Sequence, residues 1–213
     1  MLGLDIATLI SRAIVLLVAF TIHELAHAYT ADYLGDPTPR RQGRITLNPL
    51  AHLDPFGTIM LLISGFGWAK PVMVNPLNLR GNYRTSMAIV ALAGPLSNVL
   101  MAILFAIPFR LGLMQATMGS GGVIPSAAAL FTQFVFINVV LALFNLIPVP
   151  PLDGYKILQG VLPAELAYQL RPLEQYGFLI LILLIFLLPN FGIDILGALV
   201  WQPTFRIVGL LIG

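Results

Sequence analysis

Residues 21–36 read TIHELAHAYTADYLGD, and they lie inside a run that otherwise has the character of a membrane helix. Placing His23, Glu24 and His27 in an apolar helix costs free energy. Even on the lenient insertion scale, an ionisable side chain near the bilayer centre costs about 2.5–3.5 kcal/mol. The three residues therefore need a cavity, a partner or a metal ion. On a helix, side chains four apart share a face, so His23 and His27 can grip one ion with Glu24 beside them.

The rest of the chain supports the membrane setting. Of 213 residues, 58% are hydrophobic and 9% are charged, whereas soluble domains average about 25% charged. So few charges cannot coat a water-soluble globule, and the composition describes an integral membrane protein. No basic tract with interleaved aromatics is present, so nucleic acid is not an expected partner; the bilayer is. Cysteine is absent, which excludes disulfides and thiolate metal sites and leaves the imidazoles and carboxylates as ligands. The N-terminus has no basic n-region (Asp5 precedes Arg12) and no clear small-residue cleavage site, so it reads as a retained segment.

The expected fold is an all-α polytopic membrane protein of about five membrane helices, forming a single domain over residues 1–213. The spans fall at Ala13–Tyr33, Thr85–Phe109 and about 125–147, with one further span and a weaker or interfacial helix in the block 174–213, divided around Pro189–Gly192. The catalytic core covers about 13–160. Between the first two spans, GRITLNP (43–49) and AKPVMVNP (69–76) are β-branched and bounded by proline, so they read as a small β-hairpin or sheet. GTIMLLISGFG (57–67) is apolar but too short to span, and reads as a re-entrant piece or a hairpin resting on the membrane face. Six of the eleven Lys and Arg fall in 35–84 (Arg40, Arg41, Arg44, Lys70, Arg80 and Arg84). The positive-inside rule then puts 35–84 in the cytoplasm and the N-terminus outside.

An H-E-x-x-H helix suits zinc, because imidazole is a good ligand and the Glu can serve as general base. Catalytic zinc sites keep three protein ligands. The third could come from His52, Asp54, Asp153 or, less readily, Asp32. Topology favours Asp153, which follows the third span on the cytoplasmic side, the side towards which the first helix carries its motif. The prolines of NLIPVPPLDG (145–154) also unwind backbone there, and such backbone at membrane depth must line a cavity or be buried.

Taken together, HELAH (23–27), NPLAHLDPFGT (48–58), AGPLSN (93–98) and NLIPVPPLDG (145–154) resemble, in order, the motifs of the site-2 protease family of intramembrane zinc metalloproteases. The match spans most of residues 20–160 and is similar to the compact prokaryotic members without PDZ or CBS domains. The resemblance implies one Zn2+ per chain, held by His23, His27 and Asp153, with Glu24 as general base. It also implies that Asn98 and Asn145 sit near the site as hydrogen-bonding groups, with Asn98 a possible oxyanion donor. His52 and Asp54 match the loop pattern, where a structural turn is the simpler role. The implied activity is hydrolysis of peptide bonds in or near transmembrane segments of protein substrates, at a site opening towards the cytoplasm. The residues leave two other classes open: a zinc-binding membrane protein that captures helices without cutting them, and a small ion-coupled transporter with a broken helix at Asn145 and Asp153.

Overall fold

A computed structural model describes residues 6–57, 67–117 and 123–213. Four helices are long and apolar enough to cross a membrane: α1 (Ile6–Tyr33), α2 (Tyr83–Arg110), α3 (Ala127–Asn145) and a later helical run, α5 (Ala164–Phe191). Between α3 and α5 lies the short α4 (Asp153–Val161), and the chain ends in a shorter apolar helix, α6 (Gly197–Ile212). Among the described residues, four of the expected five spans are thus long enough to cross. The fifth, expected to be weaker or interfacial, is the short α6 and is not confirmed as a span. The last apolar block begins at Ala164 rather than near 174, because Arg171-Pro172 passes through as a turn of 3-10 helix without ending the run. Pro189 and the left-handed Gly192 do divide the block, and what remains beyond them is too short to be counted as a span.

The bundle is built on stripes of small residues. In α1 the buried positions include Ala7, Ser11, Val15, Ala19, His23, His27 and Ala31, each four after the last. In α2 they include Ser86, Val90, Gly94, Asn98, Ala102 and Ala106, at the same spacing. Without a hydrophobic drive between helices in lipid, small side chains permit the close approach that supplies packing energy. The histidines continue such a stripe and therefore face a neighbouring helix. Large apolar side chains such as Leu17, Leu92, Leu100 and Leu104 point outward, as the lipid solvent requires.

The connection between α1 and α2 does not contain the expected hairpin. Among the described residues there is one isolated antiparallel bridge, Leu53 with Ala69, and no strand. Residues 58–66 of the expected re-entrant segment lie outside the described residues. The stretch 69–76 runs instead as a strap whose amides are claimed one by one by other groups. Lys70 N–H donates to His52 O (2.8 Å), Val72 N–H to Glu24 Oε2 (3.1 Å) and Asn75 N–H to Asp36 Oδ2 (2.7 Å). Pro71 and Pro76 have no N–H to offer a ladder. One backbone carbonyl and two side-chain carboxylates thus take the place of a partner strand.

Asp36, fully buried just after α1, anchors this strap. Its Oδ1 accepts from Thr38 N–H (3.1 Å), the Thr38 hydroxyl (2.6 Å) and Asn78 Nδ2 (2.9 Å). Burial by itself raises the pKa of the Asp36 carboxyl, but these donors outweigh it and hold the group below its ordinary value.

α4 is fixed against α2 from its far end. Arg84 donates to Gln159 O through Nε (3.2 Å) and Nη2 (2.6 Å), and Nη2 also reaches Leu162 O. A cation at a helix C-terminus satisfies carbonyls that the helix leaves open. At the other end, Gly154 lets α4 start directly against the end of α3: a Cβ there would fall on the backbone of Leu146 and Ile147. Asp153 is thereby held at the first turn of α4, where the helix dipole favours a carboxylate.

Candidate active site

Three side chains from two distant elements meet between α1, α2 and α4. His23 Nε2 lies 3.0 Å from His27 Nε2, and Asp153 Oδ2 lies 3.2 Å from the first and 3.1 Å from the second. Among the described residues, His23, His27 and Asp153 form the one group of His, Cys, Asp or Glu side chains that could hold a metal ion. Gly94 of α2 makes this packing possible, because any Cβ there would fall on both imidazole rings.

The far side of each ring decides what the near side can do. His27 Nδ1 faces Val90 O at 2.7 Å; a carbonyl can only accept, so Nδ1 carries a proton and, in the neutral imidazole that a metal needs, Nε2 has the lone pair. For His23 the same conclusion travels along a relay. Asn138 Nδ2 donates to Phe134 O (2.9 Å), which turns its Oδ1 towards Asn98; Asn98 Nδ2 donates to that oxygen (2.8 Å), which turns Asn98 Oδ1 towards His23 Nδ1 (2.6 Å). A backbone carbonyl at one end thus sets the tautomer at the other. Two nitrogen lone pairs and an acceptor-only carboxylate then converge with no donor among them, an arrangement that a cation satisfies. The edges of 3.0–3.2 Å are close to the roughly 3.3 Å expected between ligands of a tetrahedral zinc with bonds of about 2.0–2.1 Å. The donor set therefore fits zinc and leaves a fourth position for water.

Burial differs between the two sides. His23, Glu24, His27 and Asp153 are each 6–8% exposed, whereas Asn98 and Asn138 are at 0%. The metal-facing residues are thus slightly less buried than the relay behind them.

The other residues singled out from the sequence have separate places. Glu24 accepts from Val72 N–H and lies 3.6 Å from Arg44 Nη2. Asn98 contacts His23 at Nδ1, behind the ring, rather than on the face where a substrate would sit. Asn145 donates to Leu141 O of its own helix (3.0 Å). His52 Nε2 meets Thr46 O (2.8 Å), and Asp54 Oδ1 accepts from Gly57 N–H (2.8 Å), so both serve the turn after α1. Asp32 pairs with Arg40 at 2.6 Å. Sequence reasoning missed Asn138 and Arg44. Asn138 carried a signal: like Asn98, it is an amide inside an apolar span, where polar side chains seek partners. Arg44 carried none beyond its charge.

Asn138→Leu removes the relay's anchor. It is expected to weaken zinc binding by about 10- to 100-fold, the usual effect of losing a group that orients a ligand. Competition with a chelator measures this, and ring 15N shifts of His23 in the metal-free protein should change from one tautomer to a mixture. Unchanged affinity and shifts would show that the relay does not orient His23.

Comparison with known proteins agrees with this geometry. The model of the family described as Peptidase family M50 matches residues 111–189, a stretch that contains Asp153. "Putative zinc metalloprotease YwhC" of Bacillus subtilis is 43% identical over 174 residues, covering 80% of this chain and 78% of the relative. Rip2 of Mycolicibacterium smegmatis, which bears the same description, is 33% identical over 175 residues (79% of this chain, 64% of the relative). Rip2 of Mycobacterium tuberculosis is 31% identical over 193 residues (87% and 70%). No solved structure matches the chain. The extent of these matches makes the chain a member of peptidase family M50, the site-2 proteases, and so a membrane-embedded metalloendopeptidase.

Proposed function

We propose that the protein hydrolyses peptide bonds in or near transmembrane segments of other membrane proteins, with one zinc ion per chain held by His23, His27 and Asp153 and with Glu24 as general base. The observation that carries this reading is the convergence of three acceptor atoms beside Glu24, on helices apolar enough to lie in a bilayer. Bound there, zinc supplies a water acidified to near neutrality and a Lewis acid for the scissile carbonyl. With the metal in place, Glu24 would take a proton from the attacking water as the water's oxygen bonds to the carbonyl carbon. When the C–N bond breaks, its electron pair stays on nitrogen and Glu24 returns the proton to the leaving amine. His23 and His27 keep their Nδ1 protons on Asn98 and Val90 throughout, so their metal-facing nitrogens stay unprotonated. A substrate helix must unwind first, since its own hydrogen bonds shield the carbonyl.

Detergent-purified protein tests this with dye-quenched casein, an unstructured probe that needs no unwinding. Cleavage is expected to stop with 1,10-phenanthroline and to return on adding zinc; cleavage that persists in zinc-free protein would refute the reading.

The charge distribution supports a cytoplasmic location for 35–84, an outside N-terminus and a site opening towards the cytoplasm. Because the chain lacks cysteine, a single cysteine at exposed Gln42 reports the orientation directly. It should resist impermeant maleimide in intact cells and react in inverted vesicles; the opposite pattern would reverse the assignment.

A further inference from the structure

Peptide hydrolysis places negative charge on the carbonyl oxygen, and a preorganised donor aimed at that oxygen is usually the largest electrostatic contribution to the rate. Asn98 does not serve this need, because it is fully buried behind His23, where it holds Nδ1 and Asn138. Arg44 is placed differently. It is 4% exposed, its Nη2 lies 3.6 Å from Glu24 Oε2, and the same nitrogen donates to Lys70 O of the strap. Its Nε–H is buried and has no acceptor among the described residues. A charged donor left unpaired in the interior is costly, and native structures retain such groups where a ligand completes them.

We infer that Arg44 is a catalytic residue: its guanidinium receives the oxygen of the scissile carbonyl as that oxygen becomes an oxyanion. This rests on the reading of Glu24 as general base, since Arg44 is placed by its proximity to that carboxylate. Arg44 suits the task because its planar fork presents several donors at once. One can stay on Lys70 O and keep the strap in place while another meets the substrate. The strap that contributes Val72 N–H to Glu24 is thereby tied to the residue that binds the developing charge.

The test compares two small probes on the zinc-loaded full-length protein in detergent. A dipeptide phosphoramidate presents a charged tetrahedral group like the oxyanion, whereas 1,10-phenanthroline is a neutral chelator that engages the metal alone. Arg44→Gln, which can still donate to Lys70 O, is expected to bind the phosphoramidate about 10²–10³-fold more weakly. Its zinc content and its response to phenanthroline should match the wild type. On casein, kcat should fall by a similar factor with little change in KM. Should Arg44→Gln fail to fold, Arg44→Lys keeps the charge and loses the fork, and a loss of tenfold or more in phosphoramidate affinity is expected. Equal phosphoramidate affinity in wild type and the folded variant would overturn the inference while leaving the protease reading intact. A wild type that binds no zinc would overturn both.

Discussion

Glu24→Gln is expected to reduce casein cleavage by about 10³-fold or more while leaving zinc content unchanged. The side chain is not among the three converging donors, so the metal site survives its neutralisation. On the proposed reading what is lost is the proton acceptor, and positioned acid–base groups typically contribute about 10²–10⁴-fold. The amide is nearly isosteric and can still accept from Val72 N–H through its oxygen, so the strap should stay in place. Rates per mole of zinc, with zinc measured by elemental analysis, separate this from metal loss. A variant that retains zinc and full activity would move the general base elsewhere, and a helix-capturing protein without protease activity would become the better reading.

Asp153→Ala should act on the metal itself. It deletes the carboxylate that meets both histidines and, on the proposed reading, leaves two imidazoles to hold the ion. Zinc affinity is expected to fall by more than about 100-fold, beyond the range produced by losing an orienting group, and activity should disappear with it. The comparison with Asn138→Leu is informative because the relay variant should remain within that range. If Asp153→Ala bound zinc as tightly as the wild type, the third ligand would have to be sought elsewhere.

Residues close in sequence were legible, and of those joined to them across the fold Asp153 was legible but the Asn138 relay and Arg44 were not. His23, Glu24 and His27 could be read together because the helical repeat brings i and i+4 onto one face whatever the tertiary fold. Asp153 could be singled out among several carboxylates because the prolines before it required a cavity or burial. The relay from Phe134 O to His23 was invisible: Asn98 and Asn138 are forty residues apart, and their meeting depends on how α2 and α3 are rotated in the packed bundle. The strap misled for a related reason. Its β-branched, proline-bounded sequence suggested a strand, but a strand needs a partner, and here Glu24 and Asp36 accept amides that a second strand would have taken. The start of the last long helix was placed too late because hydropathy does not show that Pro172 will be absorbed into the run.

By itself the sequence determined that this is a membrane protein, that any metal it holds must be bound by imidazole and carboxylate, and that His23 and His27 share a helix face. These follow from composition and from a repeat of 3.6 residues. The tertiary structure alone decided which nitrogen of each histidine carries a lone pair and faces the carboxylate of Asp153, and which cation stands beside Glu24. A ring nitrogen takes its protonation from the group on the ring's other side, and those groups, Val90 O and the Asn98–Asn138 relay, reach the histidines only when the small-residue stripes bring the helices together.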